Sequence, residues 1–93
     1  MREAVRFVLT YDVGPAAAEM GQQLFPAHQK RIGEFMGRGV LLSIGQFAGG
    51  DEGAMGIFTS REAAEEFAGA DPFVLGKVVG TWQVREWRSA SAD

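Results

Sequence analysis

The chain has no cysteine, and this absence excludes three kinds of chemistry at once. No disulfide can form, no thiolate can act as a nucleophile, and no thiolate can bind a metal. The single histidine also rules out a metal site built from several histidines of one chain. We therefore expect a protein that works without a bound metal or cofactor.

Positive charge and long apolar runs are also scarce. The 9 Lys and Arg residues are not clustered and face 12 Asp and Glu residues, so the net charge of −3 disfavours nucleic acid as a partner. No apolar run reaches the roughly 18 residues that a membrane helix needs, and the first residues lack the apolar core of a signal peptide. We expect a cytoplasmic protein that does not bind a membrane.

What the chain does have is an ordinary globular composition and much glycine. Hydrophobic residues make up 46% of it, charged residues 23%, and 13 of the 93 residues are glycine. A chain of this size buries roughly 64% of its extended surface, which leaves a thin core. The prediction is one domain over residues 1–93, with a frayed tail at 89–93.

Short apolar runs separated by turn residues predict four strands. Alternating apolar residues at 5–11 indicate the first, and the almost continuously apolar run at 40–47 indicates the second. A third is predicted at 54–59 and a last at about 80–87. The glycine-rich loop between the second and third strands is typical of an antiparallel hairpin.

Two helices are predicted between these strands. Apolar residues at helical spacing, together with the histidine, place the first over 26–38; this stripe consists of Phe25, His28, Ile32, Phe35 and Met36. Residues 16–24 fit either a weak helix or an ordered loop. Thr59–Glu62 fits a capping box before a second helix at about 60–69. Asp71 before Pro72 is an N-cap signal for a further short helical turn.

The resulting order is strand, helix, strand, strand, helix, strand. This order is typical of the ferredoxin-like α+β fold, in which both helices cover one face of a four-stranded antiparallel sheet. The other face also carries apolar residues such as Val8, and no element remains to cover them. A second copy packed sheet to sheet would do so, and we therefore predict a homodimer.

His28 is the leading candidate for chemistry, because histidine is the side chain that most readily exchanges a proton near neutral pH. It shares the stripe of Ile32 and Phe35, so its ring is expected to point toward the sheet. The alternative is a core histidine that only hydrogen-bonds a backbone carbonyl.

Asp71 is the candidate partner of His28, since it follows the second helix and both helices lie on one face of the sheet. A carboxylate there would hold the imidazole in one tautomer and support it as a base. The alternative is that Asp71 only caps the short helix.

Other motifs carry weaker signals. The segment Gly49–Gly53 fits a hairpin tip better than a phosphate cradle, since it contains two acids and no following Lys-Ser/Thr. Ser43 has no second histidine to activate it as a nucleophile. The acidic residues of the second helix fit a solvated face; they are Glu62, Glu65 and Glu66. Three aromatic residues either pack in the core or line a pocket; they are Tyr11, Phe47 and Trp82.

Four segments, in order and spacing, resemble the YCII-related (YciI-like) domain family. They are PAHQKRI at 26–32, GVLLSIG at 39–45, EAA at 62–64 and ADPF at 70–73. The resemblance implies a dimeric α+β barrel of ferredoxin-like subunits, with a His and an Asp as the active-site pair. Those two residues correspond to His28 and Asp71.

Two positions depart from the family pattern. Phe25 stands where members often have Arg, and Gly45-Gln46 stands where they often have Gly-Pro. A relative is a dehydrochlorinase of a hydroxylated aromatic, so the resemblance implies a lyase, an isomerase or a dehydrochlorinase acting on a small cyclic or aromatic molecule. A non-catalytic small-molecule-binding or accessory module, and a purely structural His28 and Asp71, remain as alternatives.

Overall fold

A computed structural model describes residues 1–50 and 52–92 of the chain. Four antiparallel strands form one sheet in the order β2-β3-β1-β4. The order along the chain confirms the predicted ferredoxin-like α+β fold, and its elements are β1 (Arg2–Val13), α1 (Ala17–Gly37), β2 (Leu41–Gln46), β3 (Ala54–Phe58), α2 (Arg61–Gly69), α3 (Pro72–Leu75) and β4 (Val79–Ser91).

The alternation of β1 decides which side chains face the helices. Leu9 and Tyr11 are buried in the core, whereas Val8 and Thr10 between and beside them are only partly buried. Because side chains alternate along a strand, Val8 and Thr10 lie on the opposite face. The core itself is built around Phe67, whose ring lies 5.2 Å from that of Phe35.

Helix α1 is longer than predicted. It begins at Ala17, so residues 17–24 are helical and Pro26 lies inside the helix instead of starting it. The predicted 26–38 helix was wrong at its start because packing offsets the loss of one backbone N–H donor at proline. Leu24, for example, packs so closely on Gly76 that a Cβ at position 76 would collide with its side chain.

The stripe of α1 is only partly a core stripe. His28 and Phe35 are buried as predicted, but Phe25 and Met36 are 48% and 42% exposed. Despite its exposure, Phe25 keeps ring contacts with His28 and Phe73, at centre distances of 6.4 Å each. A place on the stripe therefore does not by itself bury a residue.

Both short helices after the hairpin begin at capped positions. The hydroxyl of Ser60 accepts a hydrogen bond from the backbone N–H of Ala63 at 3.1 Å, so Ser60, one residue after the predicted Thr59, caps α2. A carboxylate oxygen of Asp71 accepts from the N–H of Phe73 at 3.1 Å and caps α3, as predicted. These caps fix where the chain turns beside the site.

The end of the chain is more ordered than expected. Residues 89–91 pair with residues 2–4 of β1, and the Ser89 hydroxyl donates to the carbonyl of Ala4 at 3.0 Å. The predicted frayed tail was therefore wrong over this stretch, because β1 offers an unpaired partner strand. Asp93, which also belonged to that prediction, lies outside the described residues.

The face of the sheet away from the helices carries partly buried apolar side chains, among them Met55 and Ile57. Trp87 is paired with Arg6 on this face and is 46% exposed. None of the three described helices packs here, so the apolar face that motivated the dimer prediction is present. Among residues 1–50 and 52–92, no helix has the length and apolar character needed to cross a membrane.

Candidate functional site

Three buried side chains from distant parts of the chain form one hydrogen-bonded cluster. The Nδ1 atom of His28 lies 2.8 Å from Oδ1 and 3.0 Å from Oδ2 of Asp71. The hydroxyl of Tyr11 donates to Oδ2 of Asp71 at 2.6 Å. The structure therefore brings together the two site residues predicted from sequence and adds Tyr11 to them.

Asp71 is the centre of the cluster. It is fully buried, with an exposed fraction of 0%, and a buried carboxylate is costly unless donors surround it. It meets this requirement with three neighbours: the Tyr11 hydroxyl, the His28 ring and the Phe73 backbone N–H. One carboxylate therefore both caps α3 and holds the imidazole, which contradicts the alternative that Asp71 only caps the helix.

The imidazole of His28 is held in position from two sides. Its ring stacks on Phe73, with the ring centres 3.9 Å apart and the planes 9° from parallel. Asp71 fixes its orientation at Nδ1, and because an ionised carboxylate only accepts, Nδ1 is the nitrogen that carries hydrogen. In the neutral ring, Nε2 is then the basic atom.

Nε2 of His28 has no hydrogen-bond partner among the described residues. His28 lines a cavity. No buried side-chain nitrogen or oxygen among these residues lacks a partner, so the unpaired Nε2 is not fully buried. This atom is therefore available to a molecule that enters.

Tyr11 was considered from sequence only as a packing or pocket-lining residue; it lines the cavity and also has a hydrogen-bonding role that was not predicted. Burial raises the pKa of its hydroxyl well above the ordinary value, and the hydrogen bond to Asp71 raises it further. The hydroxyl thus remains a hydrogen-bond donor at physiological pH. A signal existed in the sequence, since Tyr11 shares the inward face of β1 with Leu9 and a buried tyrosine hydroxyl needs a partner.

The cavity lies between α1, the adjoining ends of β1–β3 and the start of β4. Its volume of about 470 Å³ falls in the range of small-molecule sites. Aromatic rings and small residues make up most of its wall, including Phe25, Phe73, Ala17, Gly21, Gly45 and Ala54.

The remaining candidates take the roles expected of them or lie elsewhere. The β2–β3 connection is a hairpin, as predicted, and its residues Gly50 and Gly53 reach the cavity rim; Asp51 lies outside the described residues. Ser43 is exposed and does not line this cavity, and Glu66 pairs with Arg38 on the surface. Across the described ranges, no three His, Cys, Asp or Glu side chains form a group able to hold a metal ion.

Comparison with solved structures places this fold among known proteins. The chain is similar to a 5-chloro-2-hydroxyhydroquinone dehydrochlorinase of Burkholderia phenoliruptrix, solved with 2,5-dihydroxybenzoquinone, with a TM-score of 0.72, 16% identity and coverage of 88% of this chain and 92% of that one. The two chains share the ferredoxin-like α+β fold. At this identity the likeness shows the fold alone.

Two other structures are more distantly similar. A hypothetical protein of Arabidopsis thaliana matches with a TM-score of 0.50 and 17% identity, covering 100% of this chain and 96% of that one. A monooxygenase of Streptomyces coelicolor, solved with nanaomycin D, gives 0.46 and 22%, covering 97% and 90%, a likeness too slight to carry an argument. No family model matches the sequence, and the search of curated proteins gives no match.

Proposed function

We propose that the chain is a small cofactor-independent enzyme in which His28 moves a proton on a small cyclic or aromatic molecule. The observation that carries the proposal is the different state of the two nitrogens of His28: Asp71 holds Nδ1, and Nε2 is left unpaired on a ring that lines the cavity. Asp71 keeps the imidazole in the tautomer that can take a proton and stabilises the imidazolium that results.

A lyase or isomerase reaction fits these groups best. In an elimination, Nε2 of His28 removes a proton from carbon, its bonding electrons form a double bond, and a leaving group such as chloride departs with its own pair. In an isomerisation, the same proton returns to a different carbon. Neither reaction needs an oxidant. The dehydrochlorinase of similar fold is named for an elimination from 5-chloro-2-hydroxyhydroquinone.

The proposal extends to family and assembly. The residues around His28 and Asp71 support membership of the YCII-related (YciI-like) family, as one domain working in the cytoplasm.

The open sheet face, with Met55, Ile57 and Trp87, supports a homodimer that pairs sheet to sheet. Sedimentation of the wild-type protein should give twice the mass of one chain, whereas the Ile57→Glu variant should give the mass of a single chain. A wild-type monomer at high concentration would contradict the pairing.

Proton transfer can be tested before the natural substrate is known. In D₂O, the wild-type protein should catalyse hydrogen exchange at carbon in at least one member of a panel of hydroxylated and chlorinated cyclic compounds, followed by NMR. His28→Gln keeps a donor for Asp71 but has no basic nitrogen, so exchange should fall roughly 100-fold or more. Gln29→Ala, an exposed change next to it, is the matched control and should keep full activity.

Binding without exchange is the outcome that contradicts catalysis. If panel members shift the NMR signals of cavity residues yet exchange no faster than in buffer, the chain is a binding or accessory module. If His28→Gln exchanges as fast as wild type, His28 is not the base. Loss of melting temperature in His28→Gln, without any effect of the compounds on either protein, would indicate a structural pair.

A further inference from the structure

The described wall of the cavity carries a carboxylate but no lysine or arginine. Among the described residues that line it, Asp12 supplies a carboxylate and His28 an imidazole, and no Lys or Arg is present. Asp12 is exposed and accepts a hydrogen bond from the Thr81 hydroxyl at 2.6 Å. A ligand that enters therefore meets one carboxylate at the wall and no fixed cation.

Arg31, one turn after His28 on α1, is bound to α2 and to the core. Arg31 donates through Nε to the carbonyl of Phe67 at 3.0 Å and through a second nitrogen to the carbonyl of Glu66 at 2.8 Å. Its guanidinium also lies 4.8 Å from the ring centre of Phe35. These contacts hold Arg31 against α2 and the core, so it does not neutralise an anion in the cavity.

An anionic ligand would therefore lose water without gaining a cation in return. The carboxylate of Asp12 would add repulsion. The proton transfer makes the problem worse, because removal of a proton by His28 would leave a second negative charge on a molecule that already carries one. An uncharged ring avoids all three costs, and its single new charge forms beside the imidazolium.

The geometry points to a cavity that selects uncharged planar rings and rejects rings bearing a carboxylate. This inference rests on the proposed function, since it specifies the ligand class of the same site. It separates this cavity from sites that hold carboxylate substrates by a paired arginine or lysine.

Two probes of equal shape test the selection. At pH 7, 4-hydroxybenzamide is uncharged and 4-hydroxybenzoate is an anion, and each is titrated into the protein while the NMR signals of the His28 ring are followed. The amide should bind roughly tenfold or more tightly than the carboxylate. Equal affinities, or tighter binding of the carboxylate, would overturn the charge inference while leaving His28 in a binding site.

A pair of variants at the cavity wall supplies the control. Gln46 is exposed and lines the cavity from the end of β2, so Gln46→Lys adds a cation there without altering the core. This variant should reduce the preference for the amide at least about threefold, whereas Gln46→Met should leave it unchanged. An equal effect of both variants would contradict an electrostatic origin. If neither probe perturbs the His28 signals at millimolar concentration, the cavity is not a ligand site and the proposed function falls as well.

Discussion

Two hydrogen-bonded pairs join residues in or next to α1 to residues in or near α2, and they differ sharply in burial. Nδ1 of His28 lies 2.8 Å from Asp71, and a guanidinium nitrogen of Arg38 lies 2.9 Å from Glu66. The first pair has exposed side-chain fractions of 10% and 0%, the second 47% and 51%. Similar distances therefore describe two very different environments.

The difference shows that a buried polar pair needs more hydrogen-bond partners than an exposed one. Water can replace Arg38 or Glu66 at little cost, so nothing else needs to surround them. Water cannot replace the partners of Asp71, because this residue is fully buried. Donors from three elements hold its carboxylate, and the loss of any one donor leaves the buried charge less well satisfied. The two pairs should accordingly respond very differently to substitution.

Asp71→Ala should have the largest effect. It removes the acceptor for Tyr11 and His28 and the cap of α3, so the free energy of unfolding should fall by about 3–5 kcal/mol. Urea denaturation measures this loss. Asp71→Asn is the matched control, since it keeps the shape and one acceptor oxygen, and it should lose clearly less. Equal losses would show that the charge, and not the shape, dominates.

Tyr11→Phe should come next. The ring stays in the core, but Asp71 loses one buried donor, and a loss of about 1–3 kcal/mol in unfolding free energy is expected. The same variant should broaden or shift the NMR signals of the His28 ring, because the carboxylate that holds the ring is less constrained. Phe7, on the same face of β1 but outside the cluster, offers a comparison: Phe7→Leu should leave those signals in place.

High pH should reveal Tyr11 in the unmodified protein. An unfolded tyrosine titrates near pH 10, whereas burial raises the pKa of Tyr11 in the folded protein. The stabilising contribution is therefore complete below pH 10 and is lost as the pH rises above it, by about 1.4 kcal/mol per unit. Since the chain has a single tyrosine, phenolate absorbance should appear only as the protein unfolds. Phenolate absorbance in the folded protein near pH 10 would contradict the buried hydrogen bond.

Glu66→Gln should have the smallest effect. The hydrogen bond from Arg38 lowers the pKa of the Glu66 carboxyl, but both groups are exposed and solvent screens them. The melting temperature should stay within the error of measurement at both low and high salt. A loss of stability comparable to that of Tyr11→Phe would contradict the conclusion that the buried pair contributes more than the exposed one.

Local patterns in the sequence were sufficient to predict much of this fold. Alternation in β1 and the glycine-rich hairpin gave the strands, and the Asp-Pro step gave α3. The start of α1 was missed because Pro26 is a local signal against a helix, whereas the close packing of Leu24 on Gly76 depends on elements far apart in the chain. The pairing of 89–91 with β1 was missed for the same kind of reason.

The candidate site was predictable in its residues but not in its geometry. His28 stood out as the one histidine on an apolar stripe, and Asp71 as a cap on the same face of the sheet. Nothing local in the sequence gives their separation, which depends on how α1 and α3 pack. Tyr11 was considered only as a packing or pocket-lining residue, because its partner lies on a different element.

The span of the cluster along the chain has a consequence for folding. The hydrogen bonds of Asp71 reach back 43 residues to His28 and 60 residues to Tyr11. Contacts that close loops of this size carry an entropic cost and tend to form only once the surrounding structure has assembled. The His28 ring is therefore a native-state reporter: its fixed tautomer should be the last feature to appear on refolding, and no fragment lacking the second half of the chain can acquire it.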